Sequence, residues 1–204
     1  MFRFKTNVFI LCFAVFLILL LFFCVKMLKR SPICEDFTVV QGKKYRHFKG
    51  NRYVVLCIAR DVEDKERREM VVYQDLHEAN KIWVRPLFMF KEKVDKVKYP
   101  HVGQIYRFDE IEDEVFTVNL SNITSHSSDG TISNGKKYRH FKGHEYVVVC
   151  IARDTEDENI REMVVYQDLQ DANKICVCPL SMFKEKLDKD KYPDVEQTYR
   201  FEEI

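Results

Sequence analysis

The chain has 204 residues, 33 Lys and Arg against 32 Asp and Glu, and a formal net charge of +1. That balance excludes the basic excess that general nucleic-acid or anionic-surface binding requires, so no nucleic-acid partner is expected. Six glycines in all leave little material for phosphate-cradling loops, and neither an HExxH motif nor a serine-centred elbow is present, so no cofactor is expected.

In chain order, the first expected element is a membrane anchor within residues 1–30. From Val8 to Val25 run eighteen uncharged residues, VFILCFAVFLILLLFFCV. At 1.5 Å per residue such a helix spans about 27 Å, close to a bilayer's hydrocarbon thickness of about 30 Å. The run is longer than the apolar core of a signal peptide and ends in Lys26, Lys29 and Arg30 without a small-residue cleavage pattern. An uncleaved single-pass anchor is the expectation, with the membrane as its partner. Arg3 and Lys5 before the span nearly cancel the cations after it, so the positive-inside comparison assigns no orientation.

After a short connector (residues 31–41), residues 42–111 read as a mostly-strand unit. Residues 44–48 form a short aromatic-rich strand ended by Lys49-Gly50. Residues 53–59 (YVVLCIA) are apolar on both faces and predict a central, buried strand. A charged loop follows over 60–68, then a strand at 70–76 with Val71, Tyr73 and Asp75 on one face. A fourth strand (82–85) stops at Pro86, residues 87–94 carry helical spacing, and 104–108 predict a fifth strand. Five short antiparallel strands in so few residues suggest a small closed barrel.

Residues 112–134 form a Ser/Asn/Thr-rich linker with an acidic start, a composition that predicts a flexible tether. It contains two glycosylation triplets, at Asn119 and Asn122, which are acceptors if this segment is luminal. Beyond it the chain repeats itself: residues 135–204 align with 42–111 without a gap at an offset of 93, and about three-quarters of the positions are identical. The first copy carries 16 cations and 11 anions, the second 12 and 15, so the copies differ in sign of charge. Contact between the repeats through these opposite charges is one expectation.

The runs YRHFKG, YVVLCIARD, VVYQDL and WVRPLFMF, in this order, resemble a mainly bacterial family of small domains of unknown function. Its pattern reads YRHYKG, YxVLGIARHSET, VVYRxL and LWVRPLxMF. The resemblance covers nearly all of each repeat and implies an SH3-like barrel, so the expected architecture is mainly β, two tandem SH3-like barrels behind one transmembrane helix. Cys57 and Cys150 stand where the pattern has glycine, Asp61 and Asp154 where it has histidine, and the second repeat lacks the Trp and Arg of WVRPL.

Trp83 and Arg85 occupy alternate strand positions and share a face. With Tyr45, His47, Tyr53 and Tyr73 they predict an aromatic groove with a cationic head, suited to an extended peptide or protein ligand. The competing expectation places Trp83 in the core. Since position 176 is Cys in a well-kept copy, and Trp to Cys in a core leaves a costly cavity, a ligand contact is favoured. Cys176 and Cys178 lie on one strand face but lack the further ligands a zinc site needs. The odd count of Cys34, Cys57, Cys150, Cys176 and Cys178 outside the apolar span does not form a disulfide framework. A Cys57–His47 nucleophilic pair is disfavoured because Cys57 sits in the most apolar strand. The leading reading is a non-enzymatic binding module. The alternatives are an enzyme or enzyme accessory using His47 and Arg85 at the barrel mouth, and a structural membrane protein with self-packing repeats.

Overall fold

A computed structural model describes residues 37–111 and 117–204. The expected anchor at residues 8–25 lies outside the described residues. No helix among the described residues is long and apolar enough to cross a membrane. Both repeats fall within one compact unit, Val39–Ile204.

The unit is mainly β. The first repeat contributes β1 (Lys44–His47), β2 (Arg52–Asp61), β3 (Glu69–Asp75), β4 (Ile82–Pro86), a single helical turn α1 (Leu87–Phe90) and β5 (Phe108–Glu110). The second contributes β6 (Lys137–His140), β7 (Glu145–Asp154), β8 (Glu162–Asp168), β9 (Ile175–Pro179), the turn α2 (Leu180–Phe183) and β10 (Phe201–Glu203). Within each half the strands pair antiparallel in the order β5-β1-β2-β3-β4 and β10-β6-β7-β8-β9.

Two short parallel junctions then join the halves. Trp83 and Val84 of β4 pair with Arg153 and Asp154 of β7, while Arg60 and Asp61 of β2 pair with Cys176 and Val177 of β9. Each junction is the image of the other under the 93-residue offset, so the repeats meet around a pseudo-twofold axis. The strands β2, β3, β4, β7, β8 and β9 thereby close into a ring that draws three strands from each copy.

The ring encloses a core shared by both repeats. Leu56, Ala59, Val72 and Val84 pack there with Val149, Ala152, Val165 and Val177. Cys57 and Cys150 lie in the same core, buried. Full burial of each aliphatic chain contributes about 1.5–3 kcal/mol, which makes this apolar contact, rather than opposite surface charge, the main bond between the repeats. Ion pairs are secondary: Arg161 to Glu63 at 3.2 Å crosses between the halves at an exposed rim.

The double-sided apolarity of residues 53–59 has a specific cause. A bulge between Val55 and Cys57 shifts the register of β2 against β3, and the equivalent bulge lies between Val148 and Cys150. The bulge lets Leu56 and Cys57, adjacent in sequence, both enter the shared core, with Val54 before it and Ala59 after it. The first half also holds an aromatic cluster of its own, where Phe90 stacks on Phe108 at 4.0 Å and Tyr45 and Tyr73 meet Phe90 edge-on.

Three local expectations change. The helical spacing over 87–94 yields one turn, Leu87–Phe90, after which the chain leaves to place Lys93 opposite Tyr106. The last strand of the repeat is Phe108–Glu110 rather than 104–108, because β1 offers its edge to those residues. The linker over residues 117–134 is not a loose tether. Ile123 is buried in the shared core, Ile132 in the second repeat's core, and the Ser125 hydroxyl accepts from the Ile151 amide at 2.9 Å. A few apolar residues spaced through polar sequence suffice to hold it down, with backbone groups satisfied along the way.

Candidate ligand cleft

A cleft of about 530 Å³ opens in the first half, where the β1–β2 turn, β3, β4 and the segment before β5 converge. Five of the six sequence-predicted residues line it: His47, Tyr53, Tyr73, Trp83 and Arg85. The alternation on β4 puts Trp83 and Arg85 on the cleft side, with Trp83 opposite Tyr73 and Arg85 opposite Val71 in the β3 register. Tyr45 is the exception. It is 0% exposed, packs edge-on against Phe90, and its hydroxyl accepts from the Val40 amide at 3.1 Å, so it belongs to the core rather than to the groove.

Arg85 sits at the cleft floor, only 8% exposed. Its Nε and Nη2 both donate to Thr155 Oγ1, at 3.1 and 3.0 Å, and Nη2 lies 3.3 Å from Glu156 Oε1. Both partners come from the second repeat. Thr155 is in turn fixed to β4, since its amide donates to the Val84 carbonyl at 3.1 Å. The guanidinium carbon lies 5.6 Å from the Phe108 ring centroid. Among the described residues, Arg85 Nη1 is buried and meets no acceptor.

His47 rests edge-on against Phe108 at 4.9 Å, and its Nδ1 accepts from the Lys49 amide at 3.3 Å. Burial lowers its pKa, and the charges of Arg85, Arg107 and Lys49 lower it further, to about 4. It is therefore neutral at pH 7, with Nδ1 as acceptor. Tyr73 is buried and its hydroxyl is pushed up to about 12 by desolvation, so it stays protonated. Phe48 and Tyr99 add a second aromatic pair at 4.8 Å on the rim.

The four described thiols, Cys57, Cys150, Cys176 and Cys178, are core groups. Burial raises Cys57 to about 12, Cys150 well above its ordinary value and Cys178 to about 12, which leaves no thiolate for nucleophilic work. Cys176 and Cys178 pack in the second half's core. Among the described residues no three His, Cys, Asp or Glu side chains gather to hold a metal. Asn119 and Asn122 are exposed at either end of the short 3-10 turn Leu120–Asn122, and the Asn119 side chain caps it by accepting from the Ser121 amide.

Sequence reasoning missed the contribution of Thr155 and Glu156 from the other copy. The signal was present in the alignment of the repeats. Thr155 matches Val62, Arg85 matches Cys178 and Trp83 matches Cys176, the first pair just after β7 and β2 and the other two on β4 and β9. The structure brings them together. In the second half Cys176 and Cys178 are buried, and Val62 from the first repeat packs against them. The polar arrangement of one half is thus replaced by an apolar one in the other.

No curated protein and no solved structure matches this chain. The profile of a family described as protein of unknown function (DUF1653) matches residues 43–110 and 136–203, about two-thirds of the sequence. With the same profile on both halves of the fold, the chain belongs to the DUF1653 family and carries its domain twice.

Proposed function

We propose that this protein is a membrane-held, non-enzymatic binding module that recognises an extended peptide or protein segment in the first-half cleft. The observation that carries this reading is the convergence of His47, Tyr53, Tyr73, Trp83 and Arg85 on one open cleft whose floor is completed by Thr155. An aromatic platform with a fixed cation suits extended chains, whose side chains stack while backbone carbonyls accept hydrogen bonds. The SH3-like description of each half is supported by the order β5-β1-β2-β3-β4 with a long, bulged β2. The burial of Cys57, which holds its thiol protonated, favours binding over covalent chemistry at that thiol.

The uncharged run at residues 8–25 supports membrane attachment. Asn119 and Asn122 report its topology: modification in a glycosylating host, lost on mutating both, places the cleft on the luminal or outer side.

The binding reading is tested with the full chain in mild detergent against a library of blocked, extended hexapeptides. Saturable binding by a subset, lost in Trp83→Ala with the fold intact, is the expected result. Equal binding by Trp83→Ala and the parent chain overturns the cleft.

A further inference from the structure

The cleft has a chemical polarity that its aromatic lining alone does not require. Lys49, Arg85, Lys93, Lys98 and Arg107 line it, against only Glu92 and Asp95. Arg107 is already engaged by Glu92 at 2.7 Å. Arg85 is different in kind from the rim lysines, because it is buried and its side chain is held rigidly by Thr155. A buried guanidinium nitrogen without an acceptor has lost its water partner and gained none, so a ligand oxygen supplied there gains more than an exposed contact would.

The second half shows what this position looks like when no such group has to be met. There the counterparts are Cys178 and Val62, packed with Phe183 and Phe201. The same strand crossing therefore tolerates an apolar floor, and the buried cation is not a requirement of the fold. The difference between halves ties Arg85 and Thr155 to what enters the cleft.

Resting on the peptide-binding reading above, we infer that the group recognised at Arg85 is a carboxylate presented by an acidic peptide. A carboxylate fits better than a phosphate dianion because Nε and Nη2 are already held by Thr155 and Glu156, leaving one nitrogen for one acceptor oxygen. Residues flanking the carboxylate lie over Trp83 and the Phe48–Tyr99 pair. The second half, lacking the cation, does not bind this ligand, so the chain takes one acidic peptide and not two.

Trp83 is the chain's single tryptophan and lines the cleft, so its fluorescence reports occupancy directly. The full chain is titrated with a blocked hexapeptide of alternating Glu and Pro, the matching blocked Gln–Pro peptide, the Gln–Pro peptide with a free C-terminus, and inorganic phosphate. Fluorescence is followed in the parent chain and calorimetry in the variants. The expected result is one site per chain, with Glu–Pro at least tenfold tighter than blocked Gln–Pro. That preference is lost in Arg85→Cys combined with Thr155→Val, a pair that copies the floor the second half already folds around. Tight binding of the free-C-terminus peptide assigns the carboxylate to a chain end, and weak binding assigns it to a side chain. Equal affinities for blocked Glu–Pro, blocked Gln–Pro and the free-C-terminus Gln–Pro peptide, all lost in Trp83→Ala, overturn the carboxylate while leaving the peptide cleft standing. Saturable binding of phosphate without binding of Glu–Pro also overturns it. No saturable response to any peptide overturns both readings.

Discussion

Arg85 and Thr155 are 70 positions apart, yet two guanidinium nitrogens of Arg85 converge on the Thr155 hydroxyl at 3.1 and 3.0 Å. The hydroxyl also reaches the Val84 carbonyl at 3.3 Å, so the pair bridges the junction of β4 and β7. Its image across the pseudo-twofold axis is Cys178 with Val62.

The pair is expected to be energetically coupled. Thr155→Val alone leaves a buried guanidinium with fewer acceptors and costs about 1–3 kcal/mol. Arg85→Cys alone leaves a hydroxyl facing a smaller group. The double variant, which reproduces the apolar arrangement, is expected to be more stable than the sum of the single changes by about 1 kcal/mol. Urea denaturation of the four proteins checks this, and strict additivity contradicts it.

The loops joining β2 to β3 and β7 to β8 share a backbone outlier. Arg67 and Ile160 occupy equivalent positions with φ of 51° and 52°. The left-handed region costs a β-branched residue about 1–2 kcal/mol, and Ile160 is 51% exposed, so it gains little burial in return. Ile160→Asn or Ile160→Gly is expected to raise the melting temperature by a few degrees, with the larger gain for the residue that best tolerates this conformation. A lower melting temperature for both variants is the contrary result.

The two equivalent histidines, His47 and His140, are both lowered from 6.5 to about 4, chiefly by burial and secondarily by neighbouring cations. Their folded pKa lies below the unfolded value, so the unfolded chain binds protons first. Stability is full above about pH 6.5 and falls as the pH drops toward 4. His47→Gln removes one of the two contributions, so its stability depends less steeply on pH across that window. The imidazole resonances of His47 and His140, followed by NMR, are expected to titrate near pH 4. Titration near 6.5 contradicts the burial account.

Because the shared core lies between the halves, separately produced segments 39–111 and 117–204 are expected to associate one-to-one. The complex is expected to survive 0.5 M NaCl, since apolar burial is not screened whereas surface ion pairs are. Sedimentation of the mixture at low and high salt measures this. Dissociation at high salt restores surface charge as the main bond.

Much of the strand order was readable from the chain, because alternation on β3 and β4 and the Pro86 stop are local signals. The Trp83–Arg85 face was readable for the same reason. Tyr45 was misplaced, since a tyrosine on a short amphipathic strand gives no sign that its hydroxyl will meet the Val40 amide in the interior. The closing of strands across repeats was not readable. Each junction rests on only two paired residues, and backbone pairing leaves no pattern in side chains. Its indirect trace was a strand apolar on both faces, which burial in one small barrel and service to a core shared by two repeats explain equally well. The ordered linker was hidden by averaging: Ile123 and Ile132 are a small fraction of a polar segment, but they are the residues that decide where it lies.

The pseudo-twofold ring gives this chain a freedom that an assembly of two identical subunits lacks. When one gene supplies both halves of a symmetric pair, every substitution appears twice, and a change that suits one pocket is imposed on its mirror. Here each half is encoded separately while the core between them remains common. A polar floor at Arg85 can therefore coexist with an oily one at Cys178, and specialisation on one side proceeds without dismantling the partnership that holds both sides up.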